Sequence, residues 1–213
     1  AMRFDPATGQ WGSADALDDN GSAGFPNNQL FGTEGSGVAV WPRLTDGRVS
    51  IRASRYAVGT GWGDSIDIAA AHSELTTVIP RMALSPSGVG AAIWPEFRGS
   101  ETEVWANRYD GASNQWSGAI QLSSTDSTTA PRPQLAVDPS GDGFGVWSEV
   151  RESSRTVKAW RLEADAAAAA IVTLSTDMTA NPAMNSDVRI DVDAQGNAIA
   201  IWDVFEMGDY VVE

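Results

Sequence analysis

Cysteine is absent from the 213 residues, and histidine occurs once, at His72. The first absence removes disulfides, thiolate catalysis and cysteine-based zinc or iron–sulfur sites. The second removes any multi-histidine metal site, so no cofactor and no metal are expected. Basic residues are scarce as well: 14 Lys+Arg stand against 28 Asp+Glu, a formal charge of −14. Such a surface repels phosphate backbones and anionic bilayers, which argues against nucleic acid as a partner. Long apolar runs are missing. The longest, Ala166–Val172, is about a third of a membrane span, so no membrane insertion is expected. Ala1-Met2-Arg3 carries no signal-peptide core, so any export signal has been removed or was never there.

What the chain has in quantity is tryptophan, nine copies, and four of them keep time. Trp41, Trp94, Trp147 and Trp202 are 53, 53 and 55 residues apart. Each closes the same phrase, a turn ending in Gly35, Gly88, Gly141 or Gly196 followed by a short apolar run. A second series is Arg before a large apolar residue, at Arg3-Phe4, Arg55-Tyr56, Arg108-Tyr109 and Arg161-Leu162. A third is Trp11, Trp62 and Trp116, each six residues before an aliphatic one; in the fourth copy the Trp is replaced by Ala168. Three series with one period make a repeat the organising feature of the chain.

Each copy reads as four short strands. In the third, Gln134–Val137 precedes the turn Asp138-Pro139-Ser140-Gly141, where Pro presets φ and Gly closes a type I turn. Phe144–Trp147 returns, a polar loop Glu149–Arg155 follows, and Val157–Leu162 is the third strand. In the second copy Trp116–Leu122 supplies the fourth. Short, regularly punctuated strands without helical periodicity predict an all-β fold. The period and strand count predict a four-bladed β-propeller, one domain over 1–213. Its copies are approximately 11–61, 62–115, 116–167 and 168–213, with 1–10 completing the last.

Arg3-Phe4-Asp5-Pro6-Ala7-Thr8-Gly9-Gln10-Trp11 and Arg108-Tyr109-Asp110-Gly111-Ala112-Ser113-Asn114-Gln115-Trp116 resemble the Tyr-Asp…Trp segment of kelch-type propeller repeats. The resemblance covers about ten residues per copy and implies a propeller blade. Kelch repeats also carry a Gly-Gly doublet after a strand, which no copy has.

Third strands read Ile51-x-Ala53-x-Arg55, Val104-x-Ala106-x-Arg108 and Val157-x-Ala159-x-Arg161; the missing member spans Val212-Glu213 and Ala1-Met2-Arg3. Either the ends meet and close a four-bladed ring, which removes sheet edges and is favoured, or four blades belong to a longer array. In the open case two copies could combine into an eight-bladed ring.

Candidate functional residues follow from the same alignment. Asn28, Arg81, Gln134 and Arg189 start the innermost strands and are expected to ring the mouth of a central channel, where an anion, water or sugar could bind. Arg43, Glu96, Glu149 and Asp203 stand at or near one repeat position, two after the ring Trp and at the start of a loop on one face. Two carboxylates held about 5–10 Å apart could hydrolyse a glycoside; the competing expectation is pairing with the periodic arginines. The Arg3, Arg55, Arg108 and Arg161 series reads as ties between blades, with an anion-binding ring as the alternative. Trp105 and Trp160 do not repeat and are expected as surface platforms for a sugar. Asp138, Asp142, Asp191 and Asp193 loosely suggest calcium, but no EF-hand spacing occurs and turn chemistry explains them.

The leading expectation is a non-enzymatic binding or scaffold module for a glycan or protein, extracellular or periplasmic in a bacterium. Homodimerisation, or membership of a longer propeller array, goes with it. One alternative is a carbohydrate-acting hydrolase using paired carboxylates. Another is a structural fragment of a longer repeat protein.

Overall fold

The computed structural model describes residues 1–18, 22–23, 29–31, 35–74, 79–99, 101–125, 132–151, 154–163, 170–177, 187–206 and 209–212. Asn28 and the alanine-rich 164–169 lie outside them. The described residues form antiparallel sheets and no α-helix.

A hairpin of β1 (Phe4–Asp5) and β2 (Gln10–Trp11) comes first. Sheet I follows, with β3 (Ser22–Ala23), β4 (Gln29–Phe31), β5 (Gly37–Thr45), β6 (Arg48–Ala57), β7 (Gly61–Trp62) and β8 (Ile66–Glu74). Sheet II contains β9 (Arg81–Leu84), β10 (Val89–Arg98), β11 (Glu101–Asp110), β12 (Gln115–Trp116) and β13 (Ile120–Thr125). Sheet III contains β14 (Gln134–Val137), β15 (Gly143–Arg151), β16 (Ser154–Leu162) and β17 (Ala170–Asp177). Sheet IV is two ladders, β18 (Arg189–Val192) with β19 (Ala198–Ile201), and β20 (Asp203–Glu206) with β21 (Asp209–Val212).

Pairing registers repeat with the sequence. Trp41, Trp94 and Trp147 stand opposite Arg52, Trp105 and Lys158. Arg55, Arg108 and Arg161 stand opposite Val38, Ala91 and Phe144. Two expectations are corrected in detail. The loops expected after the ring Trp are absent, because the strands stay paired to Thr45↔Arg48, Arg98↔Glu101, Arg151↔Ser154 and Glu206↔Asp209. Two residues remain at each reversal. In Asp46–Gly47 both have positive φ, the geometry of a type I′ hairpin. Next, the single fourth strand expected at Trp116–Leu122 is split into β12 and β13. Between them Gly118 takes a φ of 105° and its N–H donates to Asn107 Oδ1 at 3.1 Å, diverting the chain. Among the described residues, β1 pairs with β2 and β21 with β20.

Successive sheets share apolar faces. Val38, Val40, Ile51 and Ala53 of sheet I pack on Met82, Ala92, Trp94 and Tyr109 of sheet II. Ala91, Ile93, Val104 and Ala106 of sheet II pack on Trp147, Trp160 and Leu162 of sheet III. Val146, Val157 and Ala159 then meet Val188 and, part-buried, Ile190, Ala200 and Trp202. The first strands touch in order, β4 to β9, β9 to β14 and β14 to β18. Strand alternation gives every sheet two apolar faces, as a stack requires.

The expected turn forms at Asp138. Its Oδ1 accepts the Ser140 hydroxyl at 2.6 Å and the N–H groups of Ser140, Gly141 and Asp142 at 2.8, 3.0 and 3.1 Å. The Ser140 hydroxyl above all, with these N–H groups, holds the Asp138 carboxyl below the ordinary aspartate range against the opposing effect of burial. Folding therefore favours the carboxylate. The stability it adds is present above the ordinary value near 4 and is lost as pH falls through the lower folded-state value. Urea midpoints measured at pH 6 and pH 3 are expected to fall less in Asp138→Ala than in the native chain. An equal fall would contradict the assignment.

Candidate ligand-binding cleft

The periodic arginines lie where one sheet meets the next. The Arg108 Nη1 donates to Glu163 O at 2.8 Å, and Arg161 Nε pairs with Glu163 Oε1 at 3.2 Å. Arg3 stands over the Tyr56 ring, 5.7 Å from its centroid. The Arg108 and Arg3 contacts tie different elements, whereas Arg161 pairs with an acid at the end of its own strand. Arg55 differs: it is half-buried, its carbonyl accepts the Gly63 N–H at 2.9 Å, and its guanidinium makes no hydrogen bond or ion pair among the described residues. It lies close enough to Tyr109 of sheet II to act on it: the phenol is pushed up by burial while the guanidinium pulls the other way. Tyr109 in turn donates to Asn114 Oδ1 at 2.9 Å.

Arg55 and Tyr109 separate two cavities. One of about 120 Å³ is lined by Ser36, Leu84, Ser87 and Gly88 besides. The other, of about 230 Å³, adds Ser54, Asp64, Asn114 and Trp116. A guanidinium with all its donors uncommitted, an aromatic face and several hydroxyl and amide groups thus share one cleft. That set can hold a carboxylate by a charge-assisted fork and stack an apolar ring face beside it. A third cavity of about 170 Å³ occupies the equivalent place between sheets III and IV, with Arg161, Asp138, Asp142 and Gln195 in its lining. There Glu163 already neutralises the arginine.

The channel-mouth set is not assembled as expected. Asn28 lies outside the described residues. Arg189 Nη2 donates to Asp187 Oδ2 at 3.2 Å and its Nη1 to Val188 O at 3.0 Å, an acid and a carbonyl of its own chain segment. Arg132 shares Asp187 at 3.6 Å. Gln134 donates to Arg132 O at 3.5 Å. Arg81 is half-buried on β9 and has no partner among the described residues. None of these three lines the cavities beside Arg55 or Arg161.

The residues expected on the loop face lie inside strands instead. Buried Glu96 accepts Trp94 Nε1 at 3.0 Å. Buried Glu149 accepts Trp147 Nε1 at 2.7 Å and takes Lys158 Nζ at 2.7 Å. Each carboxylate satisfies the indole N–H of its own ring Trp, which a buried donor requires. In the first copy, Arg43 occupies that position, and Asp18 replaces the carboxylate: it accepts Trp41 Nε1 at 3.0 Å and pairs Arg43 at 3.3 Å. Asp203 faces Arg155 at 3.8 Å. Trp105 is half-buried, bonded to Glu103 at 2.8 Å with Arg98 over its ring. Trp160 is a correction, since it is core between sheets II and III rather than a surface platform.

The distinction of Arg55 has a sequence signal. An acid stands two residues after Arg3, Arg108 and Arg161 (Asp5, Asp110 and Glu163), but Ala57 follows Arg55.

No protein-family model and no curated relative matches the chain by sequence. Among solved structures, a protein of unknown function from Dyadobacter fermentans superposes with a TM-score of 0.51 at 12% identity. It shares the all-β fold. The match covers 86% of this chain and 50% of that one, so this chain spans half its length. An endo-arabinase from Bacteroides thetaiotaomicron gives 0.45 at 11% identity over 88% of this chain and 72% of that one. The NanB sialidase from Streptococcus pneumoniae gives 0.47 at 10% over 86% and 28%.

Proposed function

We propose that the four repeats are blades of a β-propeller array and that the chain is a non-enzymatic binding module for a carboxylate-bearing glycan. The observation that carries this reading is Arg55, half-buried beside two cavities, its guanidinium in no ion pair among the described residues although Asp64 lines the larger cavity with it. In a protein of charge −14, an uncommitted, partly desolvated guanidinium is a costly feature unless an anion completes it. Trp116 and Asn114 in the same lining suit a sugar ring and its hydroxyls. The cavities of about 120 and 230 Å³ are smaller than the roughly 300 Å³ of ordinary ligand pockets. They accept one acidic group, with the remainder of the ligand laid across the rim.

A hydrolase reading is less well supported, because Glu96 and Glu149 are engaged by Trp94 and Trp147 rather than turned to a cavity. An extracellular or periplasmic setting follows from the proposed ligand; among the described residues no helix is long and apolar enough to cross a membrane.

Galacturonate oligomers are expected to bind in calorimetric titration, and neutral galactose oligomers to bind at least tenfold more weakly. Arg55→Ala should weaken galacturonate binding about 10- to 100-fold, the loss of a charge-assisted hydrogen bond worth roughly 1.5–3 kcal/mol. Its urea midpoint should stay unchanged, since Arg55 ties nothing together. Equal affinity in both chains would overturn the proposal, as would hydrolysis of the oligomers that disappears in Glu149→Gln.

A further inference from the structure

The repeat compares three sheet interfaces at one position. Ser36, Val89 and Asp142 are equivalent, each one residue past a turn glycine. Each stands near the turn glycine of the next sheet, Gly88, Gly141 or Gly196. Between sheets II and III the valine fills the space: a Cβ on Gly141 would meet Val89 Cβ and Cγ1, both at 2.6 Å. Between sheets I and II a Cβ on Gly88 would meet, among the described residues, only the Gly111 backbone at 3.5 Å and beyond. The room that Val89 takes up is there the cavity of about 120 Å³, with Ser36, Ser87 and Gly88 in its wall. Between sheets III and IV the same place is the cavity of about 170 Å³, walled by Asp142, Gln195 and Gly196.

The arginine of each interface completes the comparison. Where the valine plugs the space, Arg108 is turned to a carbonyl, Glu163 O at 2.8 Å. Where Asp142 stands, Arg161 is neutralised by Glu163 at 3.2 Å. Among these three interfaces, an open space and an uncommitted guanidinium coincide only where the residue is Ser36. The wall opposite Ser36 is bare backbone. Gly111 N–H donates to Gly88 O at 2.9 Å, and a Cβ on Gly111 would lie 2.5 Å from that oxygen. Backbone held in this way does not swing aside as a side chain can, so the cavity keeps its size.

No acid lines this smaller cavity, whereas Asp64 lines the larger one together with Asn114 and Trp116. The two meet at Val38, Arg55 and Tyr109. Resting on the reading of Arg55 as the ligand site, we propose that the two cavities hold different parts of one sugar. The carboxylate passes Ser36 into the smaller cavity and forks onto Arg55. The ring that bears it stays in the larger cavity, against Trp116, and donates a hydroxyl to Asp64. The ligand unit is therefore a uronate, with its acid attached directly to the ring. A 6-sulfated sugar carries its charge two bonds further out, on a bulkier tetrahedral group that the rigid wall rejects. Ser36 sets this specificity by leaving open the room that valine closes one interface along.

Calorimetric titration of the 213-residue chain with a galacturonate dimer and a 6-sulfated galactose dimer tests this. The sulfated dimer is expected to bind about tenfold more weakly or worse. Ser36→Val installs the residue that the chain itself uses at Val89. It should weaken the galacturonate dimer about tenfold or more, with the urea midpoint unchanged, because the added methyl groups occupy the carboxylate's room. Ser36→Ala keeps that room open and should bind within about threefold of the native chain. Equal affinity for the two dimers would overturn the proposal. So would undiminished binding by Ser36→Val, or a loss in Ser36→Ala as large as in Ser36→Val. Any of these results, with binding still lost in Arg55→Ala, would leave Arg55 as the ligand site. A native chain that binds neither dimer would remove both readings.

Discussion

Trp94→Ala is expected to lower the unfolding free energy by about 3–5 kcal/mol, a large share of the 5–15 kcal/mol that holds a typical domain. Trp94 is fully buried between sheets I and II, and its loss removes the largest side chain of that interface. It also strands Glu96, which accepts the indole N–H at 3.0 Å and would then be a buried carboxylate missing that donor. Trp11, by contrast, is largely exposed, and Trp11→Ala should change stability by less than about 0.5 kcal/mol in the monomer. Urea denaturation followed by circular dichroism checks both. Similar losses in the two variants would show that the ring tryptophans are not the centre of the sheet stack.

The second large effect is expected at glycines that admit no side chain. A Cβ on Gly143 would lie 2.1 Å from Ala136 O and 2.7 Å from Val137 Cα. Gly90 meets the same obstacle at Ala83 O, also 2.1 Å. Both obstacles are backbone atoms of the first strand, which cannot swing aside as a side chain can. Gly143→Ala should therefore displace β14 and cost at least about 1–3 kcal/mol, read as a lower urea midpoint. It should also open the contact of β14 with β9 and β18, which amide exchange along β14 would register. A midpoint within about 0.5 kcal/mol of the native chain would mean that the first strand yields freely. The equivalent position in the fourth copy is Ala198, in the sheet whose inner strands are the most exposed.

The repeat was legible because its markers are the residues that pack and turn. Ring tryptophans, turn glycines and periodic arginines serve interfaces that recur, so one period carries them all. Strand lengths were less legible. Pro42 and Pro95 look like loop residues, yet both lie within long strands, in β5 and β10, since pairing to the partner strand outweighs local turn propensity. Glu96 and Glu149 looked like surface acids for a similar reason: alternation places them on a buried face, and nothing in a carboxylate reveals that an indole N–H two residues back will claim it. Trp160 misled in the opposite direction, as its failure to repeat reflects different core neighbours and not exposure. Arg55 was visible only as one member of a structural series. What sets it apart is the missing acid two positions on, where Ala57 stands in place of Asp5, Asp110 and Glu163.

The stepwise contact of β4 with β9, β9 with β14 and β14 with β18 makes the molecule close to a one-dimensional lattice. In such a lattice the free energy of opening any sheet is its own stability plus a coupling to each neighbour. Among the described residues sheets II and III pack against a sheet on both sides, whereas sheet IV packs against sheet III. Its amides then exchange through local opening, at a free energy well below that of the chain as a whole. Unfolding is then expected to start at β18–β19 and to reach sheet III before sheet II, an order that amide exchange along the strands would read. A binding event at Arg55, which bridges sheets I and II, would thicken the far end of the lattice and leave that starting point unchanged.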